Sequence, residues 1–397
     1  MKTPTRRDFI RIVSTAGVGI KVANVVSAQA AASGHAPFAL KTRVLGVGEK
    51  FGLGLIGCGN RSKTHVQSIA QVPAMELRAF CDLLPEAMEE RRTQAKASGA
   101  RLHTDYRKLL EDPAIDAVII VTPNDTHRDP AIAAFDAGKH VFCEKPMALH
   151  PADCDAMMAA QRRAGRVLQI GTQRRHTPSY VEFVRQVHSG IVGQVLHGWM
   201  NDFRRDWRRM YPTEEEDVRK NWRFSAERSG GITFEMSIHG IDFFNWLMNS
   251  PPVEVVGMGG FHNPLLLPRD TTDHTGLLVR YANGAQVTYG ASLYASGGYG
   301  PEVISGTTGA TFMDGDHLRL LRRDYRHAPD APPDLDERRP LPKGNGNVAM
   351  FRHFAQAMQG KERPTPDGQA GKVGVMIARA GEISYREKRY VKMSEFA

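Results

Sequence analysis

Cysteine is scarce in this chain. Its 397 residues include four, Cys58, Cys81, Cys143 and Cys154, all in the first half. None forms a CxxC pair, so neither a zinc site nor a dithiol redox pair is indicated, and the four read as free, buried thiols. The fifteen histidines show no ligand spacing, so no metal is expected. A membrane-spanning run is missing as well: the apolar stretch Ile12–Ile20 is short and ends at Lys21. No long basic block occurs. The formal net charge is +9, of which residues 1–30 contribute +4 (five Lys/Arg against one Asp), leaving +5 scattered over the remainder. This excludes nucleic acid as the natural partner; acidic substrates are allowed but not required. No internal repeat is visible.

What is present starts at the N-terminus. Thr5-Arg6-Arg7-Asp8-Phe9-Ile10, with Lys2, makes a basic region ahead of the weakly apolar Ile12–Ile20, and Ala28-Gln29-Ala30 fits a small-residue cleavage site. The pattern predicts a twin-arginine export signal over residues 1–30, a route that carries folded proteins, and hence a periplasmic or otherwise exported protein without stable membrane insertion after cleavage. Residues 31–50 read as a linker. The remaining length suggests two domains, and 41% hydrophobic residues suffices to build their cores.

The first domain, residues 51–171, alternates strands and helices. Phe51–Ile56 reads as a buried parallel strand, followed by the turn Gly57-Cys58-Gly59 and a helix to about Ala70. Glu76–Cys81 is a second strand ending on Asp82, and Pro85–Ala97 a helix. Ala117–Val121 is a strand; Asp129 caps a helix with Pro130 at its first position and Gly138 beyond its end; His140–Cys143 is the next strand. Helix Pro151–Ala164 and strand Val167–Gly171 close the domain. This alternation predicts an α/β fold with a doubly wound parallel sheet of the Rossmann type. In the fingerprint, Gly57 permits the turn, Gly59 lets the backbone approach a pyrophosphate, and the helix N-terminus carrying Asn60 and Arg61 faces the phosphate charge. Ser62 stands where a third small fingerprint residue is usual. Asp82, 25 residues after Gly57, can bind adenosine ribose hydroxyls and would repel a 2′-phosphate, which favours NAD over NADP.

Three further motifs follow. Thr122-Pro123-Asn124-Asp125-Thr126-His127 comes first, then Cys143-Glu144-Lys145-Pro146, then Gly230-Gly231-Ile232-Thr233-Phe234-Glu235-Met236-Ser237-Ile238-His239-Gly240-Ile241-Asp242. From about Phe51 to its end the chain thereby resembles the Gfo/Idh/MocA oxidoreductases, the group of glucose–fructose oxidoreductase and inositol dehydrogenase. The resemblance implies that Lys145 is the catalytic lysine and that His239 and Asp242 form a substrate-side pair, His239 being the general acid/base. Glu235 occupies a position where many members carry Asp. Thr122, Pro123, Asn124 and His127 match the loop lining the nicotinamide end, and Glu144 accompanies Lys145 there. The chemistry of the residue types agrees. Oxidising a secondary alcohol needs a base for the hydroxyl proton, a cation for the developing alkoxide, and a cofactor to carry the redox step.

The second domain, residues 172–397, opens at Gln173-Arg174-Arg175, which sit close to the expected cleft. Tyr180–His188 reads as a helix. Strands are expected at Val253–Gly259, Thr275–Tyr281 and Ala285–Tyr294 around the Asn283-Gly284 turn, then at Val303–Ser305, Thr311–Met313 and His317–Leu321. Arg322–Lys343 reads as irregular surface, and the chain from Asn347 onward as mainly helical. The domain is thus expected to be α+β with an open, mainly antiparallel sheet, which the resemblance links to covering the site and to forming a homo-oligomer, dimer or tetramer. Gln173, Arg174, Arg175, Trp222, Glu235 and His239 are candidate substrate residues; Trp207, Tyr211, Tyr294, Tyr299 and Gly297-Gly298 are further candidates for the rim. The expected activity is hydride transfer at a hydroxyl of a sugar, polyol or glycoside. An exported enzyme has no free NADH pool, so the cofactor is expected to stay bound and be reset within the cycle. Alternatives are a redox-neutral, NAD-dependent glycosidase and a non-catalytic sugar or NAD sensor.

Overall fold

The computed structural model describes residues 40–396, apart from 205–212, 214, 217–219, 264–267, 295–297 and 323–333. The export signal, linker residues 31–39, Trp207, Tyr211, Gly297 and the side chain of Tyr299 therefore lie outside the described residues.

The N-terminal half runs β1 (Phe51–Ile56), α1 (Asn60–Ile69), β2 (Met75–Cys81), α2 (Pro85–Gln94), β3 (Arg101–His103), α3 (Tyr106–Leu110), β4 (Ala117–Ile120), α4 (Arg128–Asp136), β5 (His140–Glu144), α5 (Pro151–Ala164) and β6 (Leu168–Gly171). The six strands are parallel in the order β3-β2-β1-β4-β5-β6, the doubly wound arrangement. Every residue of β1, β4 and β5 is buried, as a strand covered on both faces requires. The order reverses between β1 and β4, so the crevice beyond their C-terminal ends is where a ligand of such a sheet sits. Helix α4 starts at Arg128, not after Asp129, because a 3₁₀ turn over Asn124–Thr126 runs through His127 into it; Pro130 is its third residue. All four cysteines are free and buried, and burial pushes their thiols up, leaving them unreactive.

The second half continues with α6 (Pro178–His188), β7 (Val195–Phe203), α7 (Ala226–Ser229), α8 (Ile238–Met248), β8 (Pro252–Gly260), β9 (His274–Tyr281), β10 (Gln286–Ser292), β11 (Gly298–Tyr299), β12 (Val303–Gly306), β13 (Gly309–Asp314), β14 (His317–Arg322), β15 (Leu335–Pro340), α9 (Gly346–Met358), α10 (Gly368–Glu387) and β16 (Val391–Lys392). They form one large sheet in the order β15-β14-β13-β12-β7-β10-β9-β8-β16, with β11 on β7, mainly antiparallel but parallel between β7 and β10. Four of these strands escape the sequence reading, the two-residue β11 and β16 and the longer β7 and β15. β7 lies at the sheet's centre, yet it carries Gly198, Asn201 and a buried Asp202. β15 falls inside the segment expected to be irregular; its Leu-Asp-Glu-Arg-Arg-Pro pairs with β14 as a charged edge strand, the composition that keeps an exposed edge from aggregating.

One face of the large sheet is covered. α8 presses Phe244 onto it, edge-on to Tyr289 at 5.6 Å, while Phe243 packs on Tyr180 and Phe183 of α6. α10 lies along β8 and reaches α5 of the first half. Among the described residues nothing covers the other face, where Trp199, Met258 and Leu278 are exposed.

Helix α9 comes late in sequence but packs into the N-terminal core. Phe351, fully buried, lies 4.9 Å from the Phe142 ring and 5.1 Å from the His65 ring. The end of the expected linker is likewise docked. Leu40 and Leu45 pack on this core, Lys41 N donates to the Gly165 carbonyl (2.6 Å), Arg43 N donates to the Met358 carbonyl (3.1 Å), and Arg43 pairs with Asp116 at 2.8 Å. Phe351→Ala removes the ring that seals α9 to the parallel sheet. It should lower stability by about 3–5 kcal/mol, read as an earlier denaturant midpoint; an unshifted midpoint would refute this account of the packing.

Candidate active site

The crevice beyond β1 and β4 is shaped by glycine. Gly57 has φ of +95°, and a Cβ there would stand 2.6 Å from the Val121 carbonyl, so the turn after β1 closes against the end of β4 only without a side chain. At Gly59 a Cβ would meet nothing within 4 Å. The first turn of α1 has no side-chain cap and no acidic residue, so its amides are free to hold an anion. Asn60 is exposed at that terminus. Ser62, at the altered fingerprint position, turns inward and donates to the Gly59 carbonyl at 2.5 Å. Asp82 stands at the end of β2, where its carboxylate accepts from Cys58 N (2.6 Å) and Leu84 N (3.0 Å) and fixes the turn. These features fit a dinucleotide, whose pyrophosphate Gly59 and the α1 amides would hold and whose ribose Asp82 would meet. Thr122 and Pro123, half-buried, form the opposite wall.

Several residues expected to touch the cofactor are also hydrogen-bonded within the protein. Glu144 is 4% exposed; Oε1 accepts from Arg61 Nε and from His65 Nε2, each at 2.8 Å, and Oε2 accepts from Lys145 N at 2.9 Å. Burial would raise this carboxyl, but Arg61, His65 and Lys145 outweigh it and hold it well below the usual carboxylate range. Arg61 also donates to Asn347 Oδ1 of α9 (3.0 Å), so its guanidinium braces the scaffold rather than reaching free for phosphate. His127 is buried with Nδ1 2.8 Å from the Pro146 carbonyl and Nε2 2.9 Å from the Thr122 carbonyl, tying the two motif loops together.

On the substrate side, a turn of π-helix over Thr233–Ser237 runs into α8 and brings Glu235 against Lys145. Lys145 Nζ donates to the Glu235 main-chain carbonyl at 3.2 Å and lies 3.7 Å from Glu235 Oε1. That oxygen accepts from Asn124 Nδ2 (2.9 Å), which also donates to the Ser229 carbonyl; Oε2 accepts from Arg223 Nε at 3.0 Å. Burial opposes the charge on Glu235, but Lys145, Arg223 and Asn124 lower its carboxyl below the ordinary value. His239 follows four residues later. Its Nδ1 is buried without a partner among the described residues, and burial, reinforced by Lys145, Arg174 and Arg204, holds the imidazole neutral well below its usual range. A neutral imidazole beside an ammonium is a proton acceptor beside a cation, the pair that alcohol oxidation needs.

Asp242 is held by a neighbouring arginine. Its carboxylate is engaged by Arg175 through Nε (3.0 Å to both oxygens) and Nη2 (2.8 Å), not by His239 or Lys145. Arg175 also lies over the Trp246 ring at 5.8 Å. Arg174 is buried against Glu302 at 2.9 Å, where Tyr180 also donates, and serves the packing between α6 and β12. Gln173 keeps a buried Oε1 with no partner among the described residues, and Trp222 is half-buried under the Arg223 guanidinium at 4.5 Å. Tyr294 hydrogen-bonds Arg269. Sequence reasoning missed His65, Arg223 and Asn347. Only His65 left a signal: it falls in the buried stripe Ser62, His65, Val66, Ile69 of α1, where a polar ring needs a partner. Among the described residues no group of three or more His, Cys, Asp or Glu is placed to hold a metal.

Known proteins share this architecture. Residues 51–172 match the oxidoreductase family described as having an NAD-binding Rossmann fold, and residues 180–311 match the GFO/IDH/MocA C-terminal domain. The chain is 31% identical over 268 residues to the uncharacterised oxidoreductase YrbE of Bacillus subtilis, covering 66% of this chain and 73% of that one. The chain belongs to the Gfo/Idh/MocA oxidoreductase family. Within the family it is also 26% identical over 364 residues to the myo-inositol 2-dehydrogenase of Thermotoga maritima, covering 86% of this chain and 98% of that one. The aldose–aldose oxidoreductase of Caulobacter crescentus, solved with glycerol, shares the fold with a TM-score of 0.74 at 24% identity, over 86% of this chain and 99% of that one. As in the family, the first domain is an NAD-binding Rossmann domain and the chain an oxidoreductase.

The different settings of Asp242 and His239 separate experimentally. Asp242→Ala leaves Arg175 buried and unpaired, and should cost roughly 3–5 kcal/mol in a denaturation curve while the surviving folded enzyme keeps the pH dependence of its turnover. His239→Asn should remove turnover with little change in the midpoint. A reversed pattern would return Asp242 to the chemistry.

Proposed function

We propose that the protein is an exported, NAD-dependent dehydrogenase that oxidises a secondary hydroxyl of a sugar or polyol. The observation that carries this reading is Lys145 held against Glu235, with a neutral His239 whose Nδ1 has no partner among the described residues. The substrate class is suggested by relatives named for polyols, the myo-inositol 2-dehydrogenase above and the scyllo-inositol 2-dehydrogenase (NAD(+)) of Bacillus subtilis, 26% identical over 348 residues.

Each residue then has a task. Lys145, anchored by the Glu235 carbonyl, presents its remaining N–H groups to the reacting hydroxyl and stabilises the alkoxide as it forms. His239 accepts the hydroxyl proton; its depressed basicity keeps it neutral and ready in weakly acidic medium. Bound NAD supplies the hydride acceptor. Glu235 offsets the ammonium so that the buried site is not a bare cation.

The Arg6-Arg7 motif supports export, and export supports a cofactor that is retained and reset by a second carbonyl substrate. The test uses protein recovered from the periplasm without added nucleotide, denatured and read by mass spectrometry. Near-stoichiometric NAD is expected. Lys145→Ala should keep the nucleotide and lose turnover on polyols and aldoses, and Lys-Lys in place of Arg6-Arg7 should strand the chain in the cytoplasm. Nucleotide-free protein that needs millimolar NAD would overturn retention, turnover in Lys145→Ala would overturn the site, and an aglycone released from a glycoside would turn the reading to the redox-neutral glycosidase.

The open sheet face supports self-association. Met258 (77% exposed), Leu278 (36%), Trp199 (40%) and Leu196 (48%) lie on it, and the register aligns Val256, Leu278, Thr288 and Trp199 in one row across four strands. A second copy of the chain is the proposed cover. Trp199→Glu should shift the mass seen by light scattering to that of a monomer; a wild-type chain that is already monomeric would refute this.

A further inference from the structure

We propose that Arg223 is a positioning residue of the reaction: it clamps the far oxygen of Glu235 so that the near oxygen and main-chain carbonyl of the same residue hold the Lys145 ammonium in place. The proposal rests on the reading of Lys145 as the reacting ammonium. Glu235 is flexible by nature, with three side-chain torsions to restrain. Here each oxygen has its own keeper, Asn124 at 2.9 Å from Oε1 and Arg223 at 3.0 Å from Oε2, and the carboxylate is 8% exposed. Charged groups bear on it from both sides, Lys145 from the loop after β5 and Arg223 from the 3₁₀ turn before α7.

The division of the carboxylate is what matters. An unopposed Glu235 would close on Lys145 as a tight ion pair and take up the donors that the substrate needs. With Arg223 holding Oε2, the ammonium stays 3.7 Å from Oε1, longer than a hydrogen bond, and donates to the softer main-chain carbonyl at 3.2 Å. Arg223 is itself held flat. Its guanidinium lies 4.5 Å over the Trp222 ring, and the turn carrying both residues is pinned by Asp270, whose N–H donates to the Phe224 carbonyl (3.1 Å) and whose Oδ1 accepts from Ala226 N (2.6 Å). A planar, stacked fork is a stiffer restraint than a lysine would supply.

The test is a double-mutant cycle on the full chain. Arg223→Met should lower kcat roughly 10- to 100-fold, as a misplacement approaching 1 Å does, while the dissociation constant for NAD and the KM for the polyol stay within about twofold. Arg223→Lys should restore part of that loss. In an E235Q background, Arg223→Met should cost nothing further, because the two residues act as one unit. Retained kcat in Arg223→Met overturns the proposal. Additive losses, or losses that follow a lowered denaturation midpoint in both backgrounds, also overturn it by assigning Arg223 to folding alone. Failure of the underlying reading shows separately, as undiminished turnover in Lys145→Ala.

Discussion

A buried negative charge organises this molecule. Glu144 sits at the end of a central strand where water cannot solvate it, and a lone carboxylate there would be prohibitive. It persists because two segments bring it three donors: Arg61 and His65 from the helix after the glycine turn, and the amide of Lys145, the next residue along the chain. Asn347 of α9 then holds Arg61 from the other side. One carboxylate thus fixes the dinucleotide turn, the backbone of the reacting lysine and a helix that arrives 200 residues later. Any of these can be where it is only if the others are.

The substrate side follows the same logic with the signs exchanged. Arg174, Arg175 and Arg223 are each matched by a carboxylate, Glu302, Asp242 and Glu235 respectively. Matched pairs add little net stability when buried, but they fix geometry. What the pairing leaves without a partner is informative: His239 Nδ1 and Gln173 Oε1 are buried polar atoms lacking one among the described residues. Hydroxyl groups can supply both donors and acceptors to such atoms, which suits a polyhydroxylated ligand.

Much of the first domain was legible in the sequence because its strands are buried on both faces and read as unbroken apolar runs between glycine and proline punctuation. The large sheet was less so. β9 and β10 alternate and could be placed around Asn283-Gly284, but β7 carries a buried Asp202 that pairs with Arg204, and β15 is charged at four consecutive positions, Asp336 to Arg339, at the sheet's edge. Neither pattern announces a strand. The site shows a parallel contrast. Lys145, Glu235 and His239 stood out as motif residues, whereas Arg223 sits in a stretch crowded with arginines, and nothing local marks it as the one that reaches Glu235.

The sequence by itself determined the glycine turn, the acid that ends β2, the residue types of the reacting centre and the family to which they belong, because these depend on local backbone freedom and on side-chain chemistry at fixed spacing. Only the tertiary structure decided which charges meet. It gave Asp242 to Arg175 and Glu235 to Lys145, paired Arg61 with Glu144, and set α9 into the core that contains β1. Pairing of buried charges is settled by distance and desolvation among segments far apart in the chain, and neither quantity is written in the order of residues.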